Sequence, residues 1–63
     1  MVELLIERWS YPDGRNEFIW SLWRDGKRLQ LGGRSGSAEA MEAEGRAFCL
    51  QATGQSPDRI THL

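Results

Sequence analysis

The sequence is poor in the residue types that build covalently linked or metal-held scaffolds. It contains one cysteine, Cys49, and one histidine, His62. A single cysteine excludes a disulfide within the chain, and the two residues together are too few for a zinc site of the Cys/His kind. We therefore expect neither a metal nor any other cofactor, and we expect Cys49 to be a buried structural thiol.

The sequence also lacks an excess of positive charge and a long apolar run. Eight Lys and Arg residues stand against nine Asp and Glu residues, so the formal net charge is −1. This balance provides no electrostatic argument for binding to nucleic acid or to an anionic membrane. No stretch approaches the roughly 20 apolar residues of a membrane-spanning helix, and the first residues do not resemble a signal peptide. We expect a cytoplasmic protein.

The chain length of 63 residues predicts one small domain. A domain of this size buries only about 60% of the surface of its unfolded chain. Small scaffolds therefore often depend on a disulfide, a metal or a partner chain. Because the first two are not expected, association with a second copy or with another protein is the remaining source of extra stability.

Turn-forming segments divide the first half of the chain into predicted strands. These segments are residues 12–16, the pair Asp25-Gly26 and residues 32–36. Between them, apolar and polar side chains alternate with the period of a β-strand. The predicted inner face of the sheet carries Val2, Leu4, Ile6, Phe18, Trp20, Leu22, Leu29 and Leu31.

The loop lengths predict which residues pair across the two hairpins. In the second hairpin, a two-residue loop predicts the pairs Arg24–Lys27, Trp23–Arg28, Leu22–Leu29 and Trp20–Leu31. In the first hairpin, an odd loop of about three or five residues predicts that Ile6 pairs with Leu22 and Trp9 with Ile19. An even loop would place Trp20 beside the charged Glu7, so we prefer the odd one.

From Ser37 onward the sequence changes to helical spacing. Ser37 is a typical N-cap residue, and Gly54 is placed to end the helix. Gly45 lies in the middle of the predicted helix, where glycine costs stability relative to alanine. We expect it to make room for a large side chain such as Trp20. The predicted apolar stripe consists of Ala38, Met41, Gly45, Phe48, Cys49 and Ala52.

These elements predict an α+β fold in which a three-stranded antiparallel sheet (β-β-β-α) carries one C-terminal helix on one face. The predicted single domain covers residues 1–54, and residues 55–63 form a C-terminal tail. The tail contains Ile60 and Leu63 but has no clear period. It is predicted to be a short extra strand, a cover over part of the sheet, or disordered.

The most informative feature for function is the second face of the predicted sheet. One helix covers only one face, which leaves Leu5, Trp9, Ile19 and Trp23 together on the other, bordered by Arg28. Exposed apolar patches of a few hundred Å² mark interaction sites, and Trp is enriched at binding hot spots. The alternative is that the tail folds across this face, or that Arg28 stacks on Trp23 and shields it.

Other candidate sites have weaker support. The glycine-rich loop between Gly33 and Ser37, with Arg34, has the chemistry of an anion site at a helix N-terminus, but a plain strand-to-helix turn explains it better. The cations Arg24, Lys27, Arg28 and Arg34 cluster around the second hairpin. Together with Gln30 they are the candidate nucleic-acid contacts, although charges at hairpin tips also serve solubility. No pair of carboxylates converges as acid–base catalysis requires, so we do not expect an enzyme.

Residues 18–32 (FIWSLWRDGKRLQLG) followed by 37–40 (SAEA) resemble the small N-terminal arm-binding or AP2-like domain of phage tyrosine-recombinase integrases. The resemblance rests on an aromatic strand, an Asp-Gly-Lys-Arg hairpin, a Leu-Gly strand end and a helix that opens with Glu-Ala. It implies that the open face of the sheet enters a DNA groove. The DNA contacts that it implies are Trp23, Arg24, Lys27, Arg28 and Gln30. The sequence departs from that family in lacking a net positive charge.

In size and in its acidic helix, the chain is also similar to small phage-encoded inhibitors such as anti-CRISPR proteins. We therefore expect a non-enzymatic binding protein that uses the open sheet face to contact a protein, either a second copy or a larger complex that it inhibits or bridges. The alternative is a DNA-binding module of the integrase-arm type.

Overall fold

The computed structural model describes all 63 residues as four strands and one helix. In chain order they are β1 (Val2–Ser10), β2 (Asn16–Arg24), β3 (Lys27–Ser35), α1 (Ala38–Thr53) and β4 (Arg59–His62). The sheet order is β3-β2-β1-β4, and α1 packs on one face. The predicted α+β class is confirmed, but the sheet has four strands and is mixed, not three-stranded and antiparallel.

The additional strand, β4, comes from the C-terminal tail. It pairs in parallel with β1, so that Ile60 lies beside Leu4 and packs against the core on the helix side. Main-chain hydrogen bonds flank the paired segment at both ends, from Asp58 N–H to Val2 C=O (2.8 Å) and from Leu63 N–H to Ile6 C=O (2.9 Å). Of the three alternatives for the tail, the short extra strand is therefore the one that the structure contains.

The first hairpin has the predicted odd loop but a register that differs by two residues. The loop spans residues 11–15, and Ile6 lies opposite Trp20, whereas Trp9 lies opposite Glu17. A two-residue shift preserves which face each side chain occupies, because side chains alternate with a period of two. The inner-face positions predicted on β1 and β2 are therefore correct although the individual pairs are not.

The register of β3 departs further from the prediction. Arg24 pairs with Lys27 and Trp23 with Arg28 as expected, but a β-bulge follows. Because the bulge adds one residue, Leu22 lies opposite Gln30 and Trp20 opposite Gly32. The predicted inner-face positions Leu29 and Leu31 are consequently wrong, and their side chains are 43% and 49% exposed.

The core lies between α1 and the inner faces of β1 and β2. Its buried side chains are those of Val2, Leu4, Ile6, Trp20, Leu22, Met41 and Cys49. The rings of Trp20 and Phe48 are 5.3 Å apart, and the Trp20 indole N–H donates to Glu44 (3.0 Å). The predicted burial of Cys49 is confirmed, but Ala52, which was placed in the apolar stripe, is exposed.

Both predicted helix boundaries are confirmed. The Ser37 hydroxyl accepts a hydrogen bond from the Ala40 amide at 3.1 Å, and Gly54 adopts a left-handed conformation with φ 77°. Gly45 does make room for a large side chain, but that side chain is Leu4 and not Trp20. A Cβ atom at Gly45 would lie 2.5 Å from Leu4 Cδ1.

Candidate functional site

The face of the sheet opposite α1, here called the open face, is not covered by any other element. On it lie Glu3, Leu5, Glu7, Trp9, Glu17, Ile19, Ser21, Trp23, Arg28, Leu31, Arg59 and Thr61. The tail does not cross this face, because β4 lies at its edge and directs Ile60 to the core. The alternative in which the tail shields the open face is therefore wrong.

The centre of the open face is closely packed although no second layer lies on it. Ser21 is 2% exposed and lies between Leu5 of β1 and Leu31 of β3. The Trp23 indole N–H donates to the Ser21 hydroxyl at 2.9 Å. This bond holds the indole along its own strand, so the polar groups of both residues are satisfied within the face. Trp23 thus stabilises the sheet as well as forming part of its surface.

The exposed apolar area lies at the margins of the open face. Trp9 and Leu31 are each 49% exposed, whereas Ile19 is 8% exposed. Because Trp9 lies opposite Glu17 and Trp23 opposite Glu3, the two tryptophans are separated by six positions of β2. That spacing corresponds to about 20 Å.

The predicted protein-binding residues therefore share one face but do not form one cluster. Leu5, Ile19 and Trp23 lie along its centre, Trp9 lies at one end, and Arg28 lies opposite Trp23. The proposed stacking of Arg28 on Trp23 is not found. The cation–π contact in the structure is instead that of Arg15 with Tyr11, at 4.8 Å.

The charges on the open face are of both signs and largely paired. Glu3 accepts hydrogen bonds from Arg59 and Thr61, each at 2.8 Å, and these bonds hold the pKa of Glu3 below its usual range. Glu17 lies 3.3 Å from Arg34. Glu7 has no cationic partner and accepts the indole N–H of Trp9 at 3.3 Å.

The residues suggested as nucleic-acid contacts do not share one face. Arg24 and Lys27 lie opposite each other on the side of the sheet that carries Leu22, whereas Arg28 lies on the open face. Gln30 lies opposite Leu22 and donates to the Leu31 carbonyl (3.4 Å). Arg34 is paired with Glu17, so Arg24, Lys27 and Arg28 are the members of the set that form no ion pair.

A pocket that the sequence did not predict lies at the hairpin end of the open face. Its cavity volume is about 410 Å³, and it is lined by Met1, Glu3, Leu5, Trp23, Asp25, Gly26 and Arg59. The amino group of Met1 donates to Asp25 at 2.7 Å, and Arg59 donates to Glu3. These residues come from the first strand region, from the second hairpin and from β4. The pocket was not predictable, because it depends on the parallel pairing of β4 with β1.

The polar groups of the other candidate sites predicted from the sequence form hydrogen bonds within the chain. In the loop between Gly33 and Ser37, Ser35 accepts the Ser37 amide at 3.0 Å and Ser37 caps α1. The thiol of Cys49 donates to the Gln55 carbonyl at 3.3 Å. The structure holds no cluster of three or more His, Cys, Asp or Glu side chains suited to a metal ion. Its one helix is not long and apolar enough to cross a membrane.

Comparison with protein-family models, with curated proteins and with solved structures gave no significant match. The resemblance to integrase arm-binding domains therefore stays a hypothesis.

Proposed function

We propose that this chain is a non-enzymatic binding protein whose open face docks on another protein, either a second copy or a larger complex that it inhibits or bridges. The observation that carries the proposal is the presence of half-exposed Trp9 and Leu31 on an uncovered sheet face. Apolar side chains at the margin of a well-packed surface supply favourable burial without requiring the surface to rearrange.

The packing of the open face supports this proposal. The Trp23 N–H is bonded to Ser21, and Ile19 and Ser21 are already buried, so the centre of the face is formed before a partner binds. A pre-formed surface avoids much of the ordering cost that opposes association. The mixed and mostly paired charges fit a protein surface as partner, because they leave no broad field of one sign on this face.

DNA binding is the second candidate, and the observation in its favour is the set of unpaired cations at the second hairpin. Two features oppose it. The net charge is −1, and Glu7 and Glu17 lie on the same face that would meet the phosphate backbone. Since each phosphate contact adds to the affinity through counterion release, a surface that mixes carboxylates with few free cations is poorly suited to a duplex.

The proposal is tested by matched substitutions on the two sides of the molecule. Leu31→Ala removes apolar area from the open face, and Leu50→Ala removes a similar side chain, 56% exposed, from the outer side of α1. Solution mass is measured over a concentration series for the wild type and both variants. A self-associating protein should lose its larger species with Leu31→Ala only.

If the wild type is monomeric throughout, the same variants are compared for retention of a partner from the native host. Retention that Leu31→Ala and Trp9→Ala weaken, and that Leu50→Ala leaves unchanged, supports the open face as the docking surface. Equal retention by all variants contradicts it. Binding to duplex DNA that falls steeply with salt would favour the DNA alternative instead.

A further inference from the structure

We propose that the pocket at the hairpin end of the open face anchors an acidic polypeptide segment that inserts one large apolar side chain beside Trp23. This inference rests on the proposed function and specifies the chemistry of the partner. The observations that support it are the apolar walls of the pocket, the internal pairing of its charged groups and the unpaired cations at the hairpin beside it.

The pocket has the chemistry of an apolar side-chain site. Leu5 and Trp23 form its apolar walls, and its cavity volume is about 410 Å³. The Trp23 N–H is already bonded to Ser21, so the indole lacks a free donor for a polar ligand. Aromatic rings favour stacked or edge-to-face contact with a second apolar ring, and anchors of this kind dominate the affinity of protein interfaces.

The charged groups that line the pocket are satisfied within the chain. Glu3 is paired with Arg59 at 2.8 Å, and Asp25 with the amino group of Met1 at 2.7 Å. Each pair neutralises itself, so neither carboxylate is left to attract a cationic ligand into the cavity. A neutral apolar group therefore suits the pocket better than a lysine or arginine side chain does.

The cations next to the pocket, in contrast, are unpaired. Of the eight Lys and Arg side chains, four take part in ion pairs, namely those of Arg15, Arg34, Arg46 and Arg59. Three of the other four, Arg24, Lys27 and Arg28, lie within five consecutive positions that enclose the pocket residues Asp25 and Gly26. Carboxylates flanking the anchor residue would meet Arg28 on the open face, while Arg24 and Lys27 add positive potential from the other side of the same hairpin end. Such complementarity directs binding and fixes its register.

A polypeptide fits this arrangement better than a nucleic acid does. On the open face, the unpaired positive charge is that of Arg28 at the hairpin end, whereas Glu7 and Glu17 lie farther along this face. A phosphate backbone that stacked a base on Trp23 would continue over those carboxylates. An acidic peptide needs only a few negative charges beside its anchor, so it matches the short extent of the cationic hairpin.

The experiment is a selection from a random peptide library displayed on phage, with the wild-type protein as bait. We expect the selected peptides to share one aromatic or large aliphatic residue flanked by Asp and Glu. Amide NMR shifts caused by a selected synthetic peptide should centre on Leu5, Trp23 and Gly26. A short oligothymidylate serves as the nucleic-acid probe.

Two charge reversals provide the matched comparison. Arg28→Glu places a negative charge beside the pocket. Arg8→Glu reverses the charge of the remaining unpaired cation, which lies far from the pocket, opposite Phe18 at the other end of β2. Arg28→Glu should weaken the selected peptide about five- to tenfold, and Arg8→Glu less than about twofold. Replacement of the anchor residue by Ala in the peptide should abolish detectable binding, a test that leaves the fold of the protein untouched.

Three results would overturn the inference. One is selection of neutral or basic peptides, or of none. Another is an equal loss of peptide affinity in Arg28→Glu and in Arg8→Glu. The last is that the protein binds oligothymidylate more tightly than any peptide. Peptides that bind elsewhere on the open face, with loss upon Leu31→Ala but not upon Arg28→Glu, would reject the pocket while leaving the proposed function intact.

Discussion

Replacement of Gly45 by alanine tests how closely α1 lies on the sheet. Gly45 is buried in the middle of the helix, and an added Cβ would lie 2.5 Å from Leu4 Cδ1 and 3.0 Å from Cδ2. The Leu4 side chain is 0% exposed and belongs to the core of β1, so it has no free space into which to withdraw. The helix must therefore move away from the sheet or the leucine must leave its rotamer.

Two opposing terms set the size of the effect. Alanine is more favourable than glycine in a helix interior by about 1 kcal/mol. Overpacking of a well-packed core costs about 1–3 kcal/mol. Since the clash involves both terminal methyl groups of a buried leucine, we expect overpacking to prevail and Gly45→Ala to lower the free energy of unfolding by about 1 kcal/mol. For a domain of this size that corresponds to a decrease in Tm of about 4–8 °C.

Urea denaturation of three variants separates the two terms. Ala43→Gly, at an exposed helix position, measures the propensity term alone and should cost about 1 kcal/mol. Leu4→Val withdraws the methyl groups that would clash. In that background, Gly45→Ala should lower the free energy of unfolding by at least about 0.5 kcal/mol less than it does in the wild type. A gain of about 1 kcal/mol from Gly45→Ala in the wild-type background would refute the close contact.

Three further predictions concern the helix ends and the acid response. Ser37→Ala should lower the free energy of unfolding by about 1 kcal/mol because it removes the N-cap, and Ser37→Asp should not, as urea midpoints would reveal. Gly54→Ala should lower the free energy of unfolding by about 1–2 kcal/mol because its backbone is left-handed. A Cβ at Gly54 would meet no atom within 4 Å, so no steric clash contributes. An unchanged free energy of unfolding would contradict this prediction. The pKa values of Glu3 and Glu42 are held below their ordinary value of 4.5, Glu3 chiefly by Arg59 and Glu42 chiefly by His62. Their contribution to stability is therefore complete above that pH and is lost as the pH falls through the lower folded-state values. The urea midpoint of the wild type should therefore decrease as the pH is lowered. The decrease should be smaller for Glu3→Gln, because this variant lacks the carboxylate that becomes protonated.

The features that were predictable from the sequence are those set by local chemistry. The hydroxyl of Ser37 and the missing side chain of Gly54 mark the helix ends whatever the sheet does. Likewise, alternation along β1 and β2 assigns each side chain to a face, and a two-residue error in register leaves that assignment unchanged. The α+β class and the open face followed from these local signals.

The features that were not predictable depend on contacts between distant segments. The bulge at Leu29 moves Leu31 to the open face and places Gly32 opposite Trp20. A Cβ at Gly32 would lie 2.6 Å from the Trp20 ring. Alternation alone favoured Leu31 at that position. The parallel pairing of β4 was equally hidden, because four residues without a clear period carry no signal of the strand beside which they will lie.

The burial pattern of β2 connects the stability of this small sheet to its proposed binding role. Trp20 and Leu22 are buried beneath α1, yet Ile19 and Ser21 on the opposite face are buried almost as fully. Since no second layer covers them, their burial comes from neighbouring side chains such as Trp23, whose N–H bonds to Ser21. The central strand is thus protected from water on both faces before any partner arrives. A partner on the open face would consequently gain its apolar contact from the half-exposed Trp9 and Leu31 at the margins and from the pocket beside Trp23. Substitutions at the margins should therefore affect affinity with little loss of stability, whereas those at the centre of β2 should affect stability first.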